Sequence, residues 1–455
     1  MSDYESLRAR HTELFHHLRP EYLARLGWTR EMLQQHRTRE LRKVLAIAKA
    51  HAPAYRQRLA NVDPVTATEA DLARIQPLTK DELMNDFENF LTDRRLSREL
   101  VESHLTNLTD DAYLLDEFHV AESSGSSGRR GVFVYGWDAW PVFFLTLVRF
   151  RLRYQRAHPY IGLTRRRAAV AAGKAPYTTY VLPRTFLGPG TATSLAATLP
   201  LPEIVNRLNA LQPAVIDGYA SMLFLLAREA LAGRLRVTPR IVAPNSEPLR
   251  PEMRQAMEAA WHCPILNCYG TSEGVSATSC GQGTGMHLNE DVAIFELVDN
   301  NGHPVPPGVR AAKIYITNLY NHVEPLIRYE LPDEVTVVDE PCPCGCAMRR
   351  VEDIEGRNED VFIYPDGIVV HPQVFRARLW DHRLFEFQVR QTATGAEIAI
   401  PVEELVDTAV LAASLRQDLE RAGLRDATVR IAIVASLERG RTGKLSQFVP
   451  ITNRG

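Results

Sequence analysis

Apolar positions in this chain change period twice along its length. Over residues 37–47, Leu41, Val44, Leu45 and Ile47 recur at helical spacing among basic neighbours, which predicts an amphipathic helix with a solvated cationic face. Thr79-Lys80-Asp81-Glu82 precedes another apolar run and carries a helix-capping signal. Residues 1 to about 110 therefore read as largely helical. From about 115 to 350, β-rich segments such as Arg240-Ile241-Val242-Ala243 and Lys313-Ile314-Tyr315-Ile316 alternate with helical ones such as 221–232, the pattern of a layered α/β architecture. Beyond Gly356 the pattern shortens. Strands are expected around Phe385-Glu386-Phe387-Gln388-Val389, Glu397-Ile398-Ala399-Ile400 and Val429-Arg430-Ile431-Ala432-Ile433, with a helix near 409–422, which together make a small α+β unit.

Composition narrows the class. The 455 residues are 45% hydrophobic with a formal net charge of -2, enough for a large core and more than one domain. Near-neutral charge argues against nucleic acid as an obligate partner. The first residues lack a basic region followed by an apolar one, and no uninterrupted apolar stretch is long enough to span a bilayer, so the expectation is a cytoplasmic protein without a membrane partner.

Candidate chemistry begins with a small-residue run, Ser123-Ser124-Gly125-Ser126-Ser127-Gly128-Arg129-Arg130-Gly131, between the β-formers Phe118-His119-Val120-Ala121 and Val132-Phe133-Val134-Tyr135. Backbone amides freed by glycine, serine hydroxyls and two closing cations suit a polyphosphate, although a plain surface turn has the same composition. No Gly-Lys-Ser/Thr ending follows, so it is not a Walker A loop. A Ser-His-Asp hydrolase is disfavoured because no Gly-x-Ser-x-Gly elbow stands in a strand-to-helix context.

Four further islands follow in order: Tyr269-Gly270-Thr271-Ser272-Glu273-Gly274, Arg328-Tyr329-Glu330-Leu331-Pro332-Asp333, Gly356-Arg357-Asn358-Glu359-Asp360 and Arg441-Thr442-Gly443-Lys444. With the Ser/Gly loop, this ordered set resembles the motifs of the acyl-adenylate-forming superfamily, and most closely its phenylacetate-CoA ligase-like branch. The resemblance spans nearly the whole chain. It implies a large multi-layer N-terminal domain over residues 1–355 and a smaller, mobile α+β C-terminal domain over 356–455, joined near Arg357.

It also implies roles. Ser124, Gly125, Ser126, Ser127, Gly128 and Arg129 would hold the β and γ phosphates of ATP, with Arg129-Arg130 where the family has Lys-Pro. Tyr269 would face adenine, Gly270 and Thr271 would lie along the nucleotide, and Ser272 would donate to the α-phosphate. Glu273 would bind magnesium. Asp333 would accept the ribose hydroxyls. Arg357 would contact ribose or phosphate, Glu359 stands near the pivot, and Lys444 would reach between the substrate carboxylate and the α-phosphate as a point charge. Ser246 and Glu247, in Asn245-Ser246-Glu247-Pro248-Leu249, match an adenine-contacting segment in which the family has glycines before the glutamate.

The implied reaction is ATP-dependent adenylation of a carboxylic acid, aryl or medium-sized, in a pocket lined by residues 168–180 and Gly218-Tyr219-Ala220-Ser221. The acyl group would then pass to coenzyme A, or directly to an amine; a non-catalytic nucleotide- or zinc-binding scaffold is the alternative from another class, against which Glu273, Asp333 and Lys444 argue. By analogy with the branch the protein would be a homodimer.

All six cysteines fall between positions 263 and 346. In a reducing compartment such clustering suggests a metal or a chance grouping of thiols. Some proteins of the same branch carry a comparable arrangement that resembles a structural zinc site, which here would use Cys280, His287, Cys342 and Cys344, with Cys346 able to replace Cys344.

Overall fold

The computed structural model describes residues 3–123, 130–159, 166–187, 190, 192–352, 362–382, 384, 387–401, 406–435, 437 and 447–451. The N-terminal region is helical, as its periodicity predicts. In the helix Arg30–His51, Leu33, Leu41, Val44, Leu45 and Ala48 are buried while Arg39, Arg42 and Lys43 face solvent. Thr29 caps its start by accepting from the Met32 amide. Thr79 does the same for Glu82, and the helix it opens is short, Lys80–Asn85.

The central layer, among the described residues, is one sheet of ten strands. Its parallel half runs Ala192–Ala196, Arg167–Ala171, Val215–Tyr219, Ile241–Asn245 and Cys268–Gly270 across the sheet. An antiparallel half continues through Ser276–Thr278, Met286–Leu288, Arg350–Val351, Val335–Val338 and Arg310–Ala311. Ile241, Val242, Ala243 and Pro244 are all buried, the continuous apolar run expected of a strand covered on both faces. The helix Ala139–Ala157 packs over the sheet and buries residues around much of its circumference. Its Arg149 is fully buried, held by Asp291 at 2.5 Å and by Asn289 at 2.8 Å, which satisfies a charge that would otherwise be costly there.

A three-stranded antiparallel sheet, Ala293–Val298, Lys313–Asn318 and Tyr329–Leu331, and the hairpin His119–Glu122 with Val132–Tyr135 complete the large part. That hairpin flanks the Ser/Gly run on both sides, as its β-formers indicate. The later residues form a separate sheet in the order Thr428–Val434, Gly395–Pro401, Gln388–Thr392, Phe448–Val449, covered by the helices Pro372–Asp381 and Thr408–Arg421. Leu411, Leu415 and Leu419, four apart, are the buried stripe of the second helix. None of the described helices is long and apolar enough to cross a membrane.

Candidate active site

Parallel strands all present their carboxyl ends on one side, and ligands of open α/β sheets bind in the crevice there. Here that crevice follows Val215–Tyr219, Ile241–Asn245 and Cys268–Gly270. A cavity opens in it, lined by Ser246, Glu247, Tyr269, Gly270, Thr271, Ser272, Glu273 and Asp333. Segments separated by up to 296 residues of sequence (376 minus 80, from Lys80 to Arg376) thus meet at one place.

Local geometry explains several of these positions. Ser246 has φ 63°, in the left-handed region where glycine is the easy residue, which accounts for glycine at the matching place in the resembling family. Glu247 accepts from the Ser221 amide at 2.8 Å and pairs with His371 at 2.8 Å, so its carboxylate is committed to protein partners. Burial would raise its pKa, but the His371 charge and the two hydrogen bonds prevail and lower it. The Tyr269 hydroxyl donates to Asp333 Oδ2 at 3.0 Å. Burial first, then the Asp333 charge, push that phenol well above its ordinary range, so it stays a donor.

The Ser272 hydroxyl donates to the Glu122 carbonyl at 2.7 Å, so contact with a phosphate would require it to turn. Its neighbour Thr271 has a buried Oγ1 with no hydrogen-bond partner among the described residues, a donor left over at the cavity wall. Glu273 is buried, with the Tyr329 hydroxyl at 3.4 Å and Lys80 Nζ at 4.0 Å. One carboxylate on a polar cavity fits magnesium, which keeps several waters and binds through one or two carboxylates plus phosphate oxygens.

Sequence reasoning did not assign Lys80, His371 or Arg376 to the site, and all three line the cavity. Lys80 reaches the cavity and donates to Ser123 Oγ at 3.2 Å, at the edge of the Ser/Gly run. His371, just before the helix Pro372–Asp381, stacks on Tyr219 with ring centroids 5.1 Å apart, and Arg376 follows it into the wall. Only Lys80 had a sequence signal, its place in the capping segment. A second, more apolar cavity shares Thr178, Thr179, Ser246, Asn267, Cys268 and Gly270 with the first. Ala168, Thr178, Thr179 and Gly218 lie on it, within the stretches expected to hold an acyl group. Ser124, Gly125, Ser126, Ser127, Gly128, Arg129, Arg357, Glu359 and Lys444 lie outside the described residues.

Away from this crevice, Cys280, His287, Cys342 and Cys344 bring their ligand atoms within 4.8 Å of one another. Tetrahedral zinc with bonds of about 2.3 Å to sulfur needs neighbouring sulfurs roughly 3.8 Å apart. Cys280 and Cys342 have sulfurs 3.5 Å apart, and Cys344 Sγ is 3.4 Å from His287 Nε2. His287 Nδ1 donates to the Met348 carbonyl at 3.1 Å, which aims Nε2 at the sulfurs. The Cys346 amide donates to Cys344 Sγ at 3.4 Å, so Cys346 supports the group through its backbone. The donor set fits zinc.

No family model matches the chain. Over 160 residues it is 29% identical to Protein CapK of Staphylococcus aureus, and over 140 residues 31% identical to phenylacetate-coenzyme A ligase of Thermus thermophilus. These stretches cover 34% and 30% of the chain, and 34% and 31% of the two relatives, so each match spans about a third of the curated protein. A solved structure of 2-hydroxyisobutyryl-CoA ligase, in complex with 2-HIB-AMP and CoA in the thioesterification state, superposes with a TM-score of 0.59 at 20% identity, over 94% of this chain and 91% of that one. The chain shares the fold of that ligase. A second structure of the same ligase, in the postadenylation state, superposes at 0.58 with 18% identity over 94% and 91% of the two chains. Among the described residues, the islands at 269–273 and 331–333 both line the crevice at the strand ends.

Proposed function

We propose that the protein activates a carboxylic acid with ATP, giving an acyl adenylate and pyrophosphate, and then transfers the acyl group to coenzyme A. The observation that carries this reading is the single cavity that gathers Ser246, Tyr269, Gly270, Thr271, Ser272, Glu273 and Asp333. A carboxylate is a poor acyl donor because oxide would have to leave. Attack of its oxygen on the α-phosphate expels pyrophosphate, and AMP then becomes the leaving group for a thiol.

Both reactants of the first step are anions, so the site must supply cations and donors at the reacting phosphate. Asp333, oriented by the Tyr269 hydroxyl, would accept from the ribose. Thr271 and Ser272 would donate to phosphate oxygens. Glu273 would hold magnesium, which neutralises phosphate charge when bound, with Lys80 beside it. Arg357 and Lys444 are assigned by motif, Lys444 as the cation between carboxylate and α-phosphate. His371 and Arg376, from the segment after residue 362, line the same cavity. The acid would be aryl or medium-sized and would occupy the apolar cavity beside Gly218 and Cys268. The cysteine and histidine group would hold a structural zinc that joins the 280–287 and 342–346 segments.

Product analysis tests the reading. With acid, magnesium and coenzyme A present, ATP should be consumed to AMP and pyrophosphate with stoichiometric thioester. Formation of ADP would contradict it, and turnover raised by amines but not by coenzyme A would replace the thioester step with amide formation.

A further inference from the structure

The apolar cavity beside the nucleotide motifs has one charged stretch of wall. Phe143, Phe144 and Leu147 form its hydrophobic side, while Arg151, Arg167 and Asp217 also line it. Arg167 Nη2 donates to both Asp217 oxygens, at 3.0 and 3.3 Å, and Arg151 donates to Oδ1 of the same carboxylate. The three side chains are 15%, 11% and 18% exposed, in the order Arg167, Arg151, Asp217. Two guanidiniums therefore share one carboxylate, and Asp217 is the only carboxylate among the described lining residues.

Neighbouring groups leave that imbalance in place. Burial pushes the Cys268 thiol up to about 12, so it adds no negative charge. Asp217 is held below its ordinary value because Arg151 and Arg167 together outweigh its burial, so it stays ionised. Three donors on this wall, Arg151 Nε, Arg167 Nε and Thr278 Oγ1, are buried without a hydrogen-bond partner among the described residues. A structural ion pair would need one guanidinium, and an uncompensated second one inside an apolar cavity is costly unless a ligand neutralises it.

We propose that the acid this protein activates carries a second anionic group, a dicarboxylic acid in its simplest form. That group binds the Arg151 and Arg167 wall while the reactive carboxylate faces Cys268 and Gly270, which border both cavities. The inference rests on the adenylation reading and narrows its substrate class. A charge-assisted hydrogen bond of this kind is worth on the order of 10- to 100-fold in discrimination.

The test compares chain-matched pairs, adipate with hexanoate and isophthalate with benzoate, in the wild type and Arg167→Met. That variant removes the excess charge and leaves Arg151 paired one-to-one with Asp217. Pyrophosphate exchange and calorimetric binding in the presence of a non-hydrolysable ATP analogue are both read. The diacid should exceed its monoacid partner by about tenfold or more in the wild type. The ratio should fall towards one in Arg167→Met and survive in Arg167→Lys. Should Arg167→Met fail to fold, Arg151→Met serves the same comparison. Equal or better use of monoacids by the wild type, or an unchanged ratio in the neutral variant, overturns the proposal. Diacid binding that is lost in Arg167→Met, with no exchange for any acid, would support the charged wall and refute adenylation instead.

Discussion

His371 Nε2 lies 2.8 Å from Glu247 Oε1, a contact that ties the segment after residue 362 to the carboxyl end of the parallel sheet. The imidazole also stacks on Tyr219. His371→Ala removes the ion-pair partner of the half-buried Glu247 carboxylate, which keeps its bond from the Ser221 amide. Losing a hydrogen bond to a charged group costs about 2 kcal/mol. The expected result is a clear fall in the urea midpoint, with His371→Gln intermediate because an amide can still donate to Glu247. Equal midpoints for all three proteins would show that the contact contributes nothing to stability.

The Tyr269 hydroxyl orients Asp333 at 3.0 Å, and its ring lines the cavity independently. Tyr269→Phe should therefore weaken AMP binding by about tenfold or less, the worth of one hydrogen bond. Tyr269→Ala should weaken it further because the ring goes as well. Calorimetric titration with AMP measures both, and the same loss in the two variants would remove the ring from the account.

Purified protein should contain about one zinc per chain, bound through Cys280, His287, Cys342 and Cys344. Cys280→Ser or prolonged chelation should remove it and lower the melting temperature by about 5 °C or more. Hydrogen bonding to Cys344, and then to His287, pulls the Cys280 thiol below its ordinary value despite burial, the direction that favours metal binding. Elemental analysis together with thermal melts checks this, and metal-free protein of unchanged stability contradicts it.

Acid lability follows from two histidines. Burial, and then the nearby His119, lower His11 to about 3 and His104 to about 4. His11 stacks on Trp137 with centroids 4.1 Å apart and makes a 2.7 Å hydrogen bond to the Trp137 carbonyl. In the unfolded chain both would titrate near 6.5, so between about 4 and 6.5 the unfolded state binds more protons. Their stabilising effect is complete above about 6.5 and declines as pH falls through that window. Melting temperatures from pH 7.5 down to 4.5 should drop, with a shallower slope in His11→Gln. A flat profile would contradict the assignment.

The sequence made some of this legible and hid the rest for identifiable reasons. Thr79 reads as a cap because capping chemistry is local, and the helix Arg30–His51 reads from the spacing of Leu41, Val44 and Leu45. The ordered islands mark Tyr269, Glu273 and Asp333 through their resemblance to the motifs of the acyl-adenylate-forming superfamily, and all three line one cavity. Nothing local tells that Lys80 stands beside Glu273, since 193 residues separate them (273 minus 80). Arg167 and Asp217 meet only because parallel strands pair in one register, Arg167 with Val215 and Ala169 with Asp217. The φ of Ser246 is likewise a property of the strand end it follows, not of its own side chain.

Acid-dependent exchange of labelled pyrophosphate into ATP tests adenylation most directly, using mono- and dicarboxylic acids with Lys444→Ala as control. The account predicts exchange that requires both acid and magnesium. In the variant it should fall by about 100-fold or more while ATP binding changes little, because that cation acts mainly in the transition state. ATP binding without exchange for any acid, or full exchange in Lys444→Ala, would contradict the account.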